Sequence, residues 1–66
     1  MKTYLYFNND LFKVNGEPFT YSAKKTAEEG EDWSIRFADK QTVWKVERVE
    51  NKLTENEQHV YLVQDK

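Results

Sequence analysis

Apolar and polar side chains alternate along most of this chain with a period of two. In KTYLYF, residues 2–7, Leu5 and Phe7 fall on one side of an extended backbone, and Tyr4 and Tyr6 on the other. In WSIRFA, residues 33–38, Trp33, Ile35 and Phe37 share one face, and Ser34, Arg36 and Ala38 the other. A period of two over short runs predicts strands, here over 2–7, 11–14, 17–23, 33–38, 42–50 and 58–64.

The segments between these runs carry turn chemistry. Asn8-Asn9-Asp10 is a turn cluster after the first strand. Asn15-Gly16 is a stronger signal, because a two-residue type I′ turn needs positive φ at both central positions. With that loop, Phe12 lies opposite Phe19 and Val14 opposite Glu17. The aromatic pair contributes roughly 0.2–1 kcal/mol across the ladder. Pro18 has no amide hydrogen, so its strand starts there or lies at an edge.

KKTAEEGED, residues 24–32, could follow a Ser22 cap as a short helix. Its lysines come first and its glutamates last, which opposes the helix dipole, so a charged loop around Gly30 is expected.

An Asp39-Lys40 loop would bring Ile35 to Trp44, Trp33 to Val46 and Phe37 to Thr42. Trp44 and Val46 are followed by Val49, three positions on, where strict alternation would need Arg48. A β-bulge near Glu47-Arg48 restores Val49 to the inner face. Val60 and Leu62 then lie opposite Val49 and Val46, after a polar turn over 51–57. Six short strands with tight turns predict an all-β antiparallel meander, closed as a small SH3-like barrel; the alternative is a bent open sheet that dimerises.

Length narrows this further. Sixty-six residues suffice for a single small β domain, which buries only about 60% of its unfolded surface. A stability of roughly 3–5 kcal/mol is the expectation. The chain has no cysteine and one histidine, so a disulfide or structural zinc site is not expected. Ten aromatic residues supply packing area despite 33% charged content. There is no membrane-length apolar run and no signal-peptide pattern, so a cytoplasmic protein without membrane contact is expected. Net charge is −2, with residues 33–52 mildly basic between acidic flanks.

Candidate catalytic chemistry is sparse. His59 is the one histidine, and neither Ser22 nor Ser34 sits in a glycine-rich elbow. His59 reads as a surface residue opposite Val60 in parity. Glu28, Glu29, Glu31 and Asp32 lack calcium-loop spacing and are too few for a DNA mimic. With only Gly16 and Gly30, no phosphate-cradling loop exists. The expectation is a non-enzyme without cofactor or metal.

Two binding readings remain. Single-strand nucleic-acid binding would use aromatics beside Arg36, Lys40, Lys45 and Arg48. The acidic net charge and the core-like alternation of the tryptophans count against it. The other reading starts from a surplus. Leu5, Phe7, Phe12, Val14, Phe19, Tyr21, Trp33, Ile35, Phe37, Trp44, Val46, Val49, Val60 and Leu62 fill an expected core. Tyr4, Tyr6, Val43, Tyr61 and Val63 are left over, and all but Val43 come from the first and last strands. Outer tyrosines also occur simply as strand formers. As a patch, they suit a protein interface. The expected function is therefore a non-catalytic protein-binding module, such as a small bacterial or phage accessory or inhibitor protein. Its partner is a foreign protein or a second copy.

Overall fold

The computed structural model describes residues 1–64, apart from the side chain of Phe37. In chain order the strands are β1 (Lys2–Phe7), β2 (Asp10–Leu11), β3 (Lys13–Val14), β4 (Glu17–Pro18), β5 (Thr20–Ser22), β6 (Asp32–Phe37), β7 (Lys40–Lys52) and β8 (Glu57–Val63). A 3-10 turn, Leu53–Glu55, separates β7 from β8. Six strands form one sheet in the order β2-β1-β8-β7-β6, with β5 also paired to β1. β3 and β4 form a separate two-stranded ribbon. Among the described residues no helix is long and apolar enough to cross a membrane.

Turn chemistry sets the first half. Asn8 and Asn9 both take positive φ, which asparagine tolerates better than most residues, and β1 turns directly into β2. The strand expected over 11–14 breaks at Phe12, whose N–H donates to Leu5 O at 2.8 Å. From there the ribbon leaves the sheet, with Asn15 and Gly16 both at positive φ in its tip. Phe12 lies opposite Phe19 as expected; Phe19 N–H donates to Phe12 O at 3.0 Å and the rings meet edge-on at 5.4 Å. β5 then returns to β1, setting Thr3 opposite Tyr21. Val14 rides out on the ribbon and is 47% exposed, not part of the core.

In the β6–β7 hairpin the two-residue loop is Ala38-Asp39, with Ala38 at φ 53°, rather than Asp39-Lys40. Trp33 therefore faces Trp44 and Ile35 faces Thr42. Both registers keep the same residues inward, so alternation could not choose between them. The choice is reinforced beyond the hairpin, where Val46 N–H donates to Glu31 O and Gly30 N–H to Val46 O, each at 2.9 Å. The bulge expected near Glu47-Arg48 is present: Val46 pairs with Leu62, and Arg48 with Tyr61. Val49 thereby meets Val60 on the inner face. The polar turn is tighter than expected. Asn56, at φ 54°, donates to Leu53 O at 3.2 Å and ends the 3-10 turn.

Among the described residues the buried apolar ones are Leu5, Val46, Val60 and Leu62. Phe7, Phe12, Phe19, Tyr21, Ala27, Trp33, Ile35, Trp44 and Val49 pack around them, each partly exposed. The expected inward place of Phe37 lies outside the described residues. Two polar residues missing from the expected core, Thr3 and Gln58, are buried. Gln58 Nε2 donates to Thr3 Oγ1 at 2.9 Å and Lys25 O at 3.3 Å, and its Oε1 accepts from Ala27 N–H at 2.9 Å. These bonds pin the 23–31 loop at the centre of the sheet.

That loop explains why the closed SH3-like barrel is not found. β5 sits beyond β1 and β6 beyond β7, so the chain passes from one side of the sheet to the other between them. A loop of this length spans up to roughly 30 Å. The edges stay apart, and the meander also contains one parallel pair, β1 with β8.

Gln58→Ala strands the Ala27 N–H and leaves a cavity beside Thr3. We expect a loss of about 2–3 kcal/mol in urea unfolding, with faster amide exchange over 24–31. A loss below about 0.5 kcal/mol would mean that the loop is not held through this amide.

Candidate functional site

The parallel β1–β8 register builds the outer face. It sets Tyr4 beside His59 and Tyr6 beside Tyr61. Alternation turns all four rings away from Leu5, Val60 and Leu62. Tyr4 and His59 stack with centroids 4.6 Å apart and planes 2° apart. Tyr6 and Tyr61 stack at 4.2 Å and 13°. His59 and Tyr6 meet at 5.7 Å, tilted by 38°, and join the two stacks.

Cations close both ends. The Arg48 guanidinium lies 3.9 Å from the Tyr61 ring centroid, and Lys2 Nζ 5.4 Å from that of Tyr4. A cation over an aromatic face is attracted by the ring quadrupole. Arg48 also reaches Glu50, Nη1 to Oε2, at 3.6 Å. The order Lys2, Tyr4, His59, Tyr6, Tyr61, Arg48 makes a continuous ladder across three strands.

His59 is the rung that sequence reasoning missed. Tyr6 Oη and His59 Nδ1 are 3.0 Å apart, within hydrogen-bond distance. With the phenol donating, the ring proton sits on Nε2, which is 3.6 Å from Glu57 Oε2 and has no hydrogen-bond partner among the described residues. Parity alone placed His59 on the tyrosine side. Its contacts depend on the pairing of two strands from opposite ends of the chain, which no local signal reports. Burial, reinforced by neighbouring Tyr61, pushes the Tyr6 phenol above its ordinary value. Lys2 is also raised, first by the Tyr4 hydroxyl.

The expected protein-binding residues are thus brought together in large part. Tyr4, Tyr6, Tyr61 and Val63 occupy adjoining strands and are half-buried, because the rings cover one another. Val43 lies on the outer face of β7 opposite Ser34, and is 59% exposed. The cations of the nucleic-acid reading are divided. Arg48 belongs to the ladder, Lys45 pairs with both Asp32 and Val63, and Arg36 sits on β6 opposite Gln41. Lys40 has the parity of Thr42 and Trp44, on the inner face. The tryptophans are inward too, away from the other three cations.

A cleft of about 400 Å³ opens under the 23–31 loop, lined by Tyr21, Lys25, Ala27, Trp33 and Gln58 among others. Gln58 is already committed there to the loop backbone. Glu31 Oε1 accepts from Glu28 N–H at 2.9 Å and Trp33 Nε1–H at 3.4 Å, which lowers its pKa, Glu28 being the larger cause. Among the described residues no three of His, Asp and Glu cluster closely enough to hold a metal ion. The outer ladder therefore offers recognition chemistry: ring faces, phenol hydroxyls, a guanidinium and carboxylates.

No family model matches this chain, and no curated protein or solved structure matches it either.

The raised Tyr6 phenol has a defined stability signature. Its neutral form is favoured in the fold, so the contribution is complete below the unfolded value of 10.0 and is lost as pH rises through the folded value. Tyr6→Phe should cost about 0.5–1.5 kcal/mol at neutral pH, through the lost His59 bond. It should also flatten the fall in stability above pH 10, measured by urea unfolding at several alkaline pH values. Equal alkaline slopes in both proteins would show that Tyr6 carries no such linkage.

Proposed function

We propose that this chain is a non-catalytic protein-binding module whose docking surface is the outer face of β1, β8 and β7. The observation that carries the reading is the ladder of Tyr4, His59, Tyr6 and Tyr61 capped by Arg48. Tyrosine and arginine, with tryptophan, are enriched among the side chains that anchor protein interfaces. Here they are already stacked against one another, so little rotamer freedom remains to be lost on docking. Val63 and exposed Val43 extend the surface with apolar area. Glu50 and Glu57 lie beside Arg48 and Lys2, giving a rim of both signs that favours a mixed-charge protein surface over a polyanion. A module that acts by covering another protein's surface fits a small accessory or inhibitor protein.

The test compares partner capture from a host lysate by the wild-type chain, by Tyr4→Ala/Tyr61→Ala and by Val43→Glu/Arg48→Glu. Both variants should lose the captured protein while keeping the native circular dichroism. Should the tyrosine pair unfold the chain and the second variant still capture normally, the rings are structural and the docking role is lost. A mobility shift of mixed RNA or single-stranded DNA at low salt, abolished by Arg36→Glu/Lys45→Glu, would replace this reading with the nucleic-acid one.

A further inference from the structure

The β6 edge has a property that the outer face does not share. β6 pairs with β7 on one side, and among the described residues no strand pairs with it on the other. It is six residues long, DWSIRF, with no proline, lysine or bulge to blunt it. The opposite side of the sheet is different: two- and three-residue strands, β2 and β5, are interrupted by the β3–β4 ribbon.

The direction of the free backbone groups follows from the ladder. Val46 bonds with Glu31 and Gly30, so the Glu31 level is a hydrogen-bonded one. Antiparallel levels alternate, so Trp33, Ile35 and Phe37 turn their N–H and C=O groups toward β7. Asp32, Ser34 and Arg36 turn theirs outward. An antiparallel partner must match these outward residues with outward residues of its own. For a second copy of β6, one register uses all three: Ser34 on the dyad against Ser34, and Asp32 against Arg36 on either side. Registers shifted by two residues either way leave fewer levels. At the far extremes Asp32 or Arg36 meets itself.

We propose that two copies of this chain join antiparallel along β6, with the two-fold axis through Ser34, into one continuous sheet. The join forms about six inter-chain backbone hydrogen bonds. On the outer face it makes two Asp32–Arg36 pairs; within the chain both side chains are exposed and, among the described residues, neither forms an ion pair. On the inner face it sets Trp33 across from Ile35 of the other copy, twice. That extends the half-buried row of Trp33, Ile35 and Trp44 at the edge of the core. The interface is isologous, so it closes as a dimer and does not propagate. It rests on the β6 edge alone and is independent of the tyrosine ladder.

Sedimentation velocity with the purified chain tests this. A single-strand join buries little area, so a dimer in the micromolar range is expected, with a clear rise in mass by about 100 μM. Arg36→Asp turns both charge pairs into like-charge contacts and should weaken the dimer at least about tenfold. The swap Asp32→Arg/Arg36→Asp should recover much of it, in part only, because it sets an arginine opposite Lys45 within the chain. Ser34→Pro removes an outward N–H at the axis and leaves the β6–β7 backbone bonds in place, losing only the exposed Gln41–Ser34 side-chain bond; it should give a monomer with unchanged circular dichroism. Tyr4→Ala/Tyr61→Ala should leave the dimer intact, which separates this interface from the outer face. A wild-type monomer at about 500 μM overturns the proposal. So does a dimer that survives both Arg36→Asp and Ser34→Pro in folded protein.

Discussion

The parallel pairing of β1 with β8 is the contact on which the rest of the molecule depends. It brings Leu5 against Val60 and Phe7 against Leu62 inside, and Tyr4 against His59 and Tyr6 against Tyr61 outside. Among the described residues, three of the four buried apolar side chains belong to these two strands. A parallel pair needs a long connection between its members, and here that connection is nearly the whole intervening chain. The hairpins and the loop are therefore arranged around a junction that closes only when both ends of the chain are in place.

Polar groups set one end of that junction. Thr3 and Gln58 stand in register on β1 and β8, both buried, and Gln58 extends its amide to the 23–31 loop. A buried amide is costly without partners, so the loop is drawn across the inner face to supply them. The chain then arrives at β6 on the far side of β7, and the sheet stays open. The free β6 edge and the incomplete cover over Trp33 and Trp44 both follow from that one path.

The two faces of the sheet therefore have different characters. The inner face is a small aliphatic centre with aromatic residues around it. The outer face is aromatic at its centre and charged at its rim, with rings held by each other and by Arg48 and Lys2. An outer surface that is already ordered suits docking, and a strand with one edge free among the described residues suits self-pairing. Neither use disturbs the β1–β8 junction.

The amino-acid sequence by itself determined what is local. Alternation assigned Tyr4, Tyr6, Tyr61 and Val63 to one side and Leu5, Val46, Val60 and Leu62 to the other. Asn15-Gly16 specified its turn, and the Val46–Val49 spacing specified the bulge. Each of these depends on a few consecutive residues, whose backbone preferences and parity act before any distant contact forms. Only the tertiary structure decided which strands distant in sequence are neighbours. It placed β8 beside β1, slid the β6–β7 register to Trp33–Trp44, sent Val14 out on the ribbon, and gave His59 and Arg48 their places in the ladder. Those outcomes come from competition among distant segments for the same edges and the same buried polar partners. Residue alternation is unchanged by that competition, so it carries no record of the result.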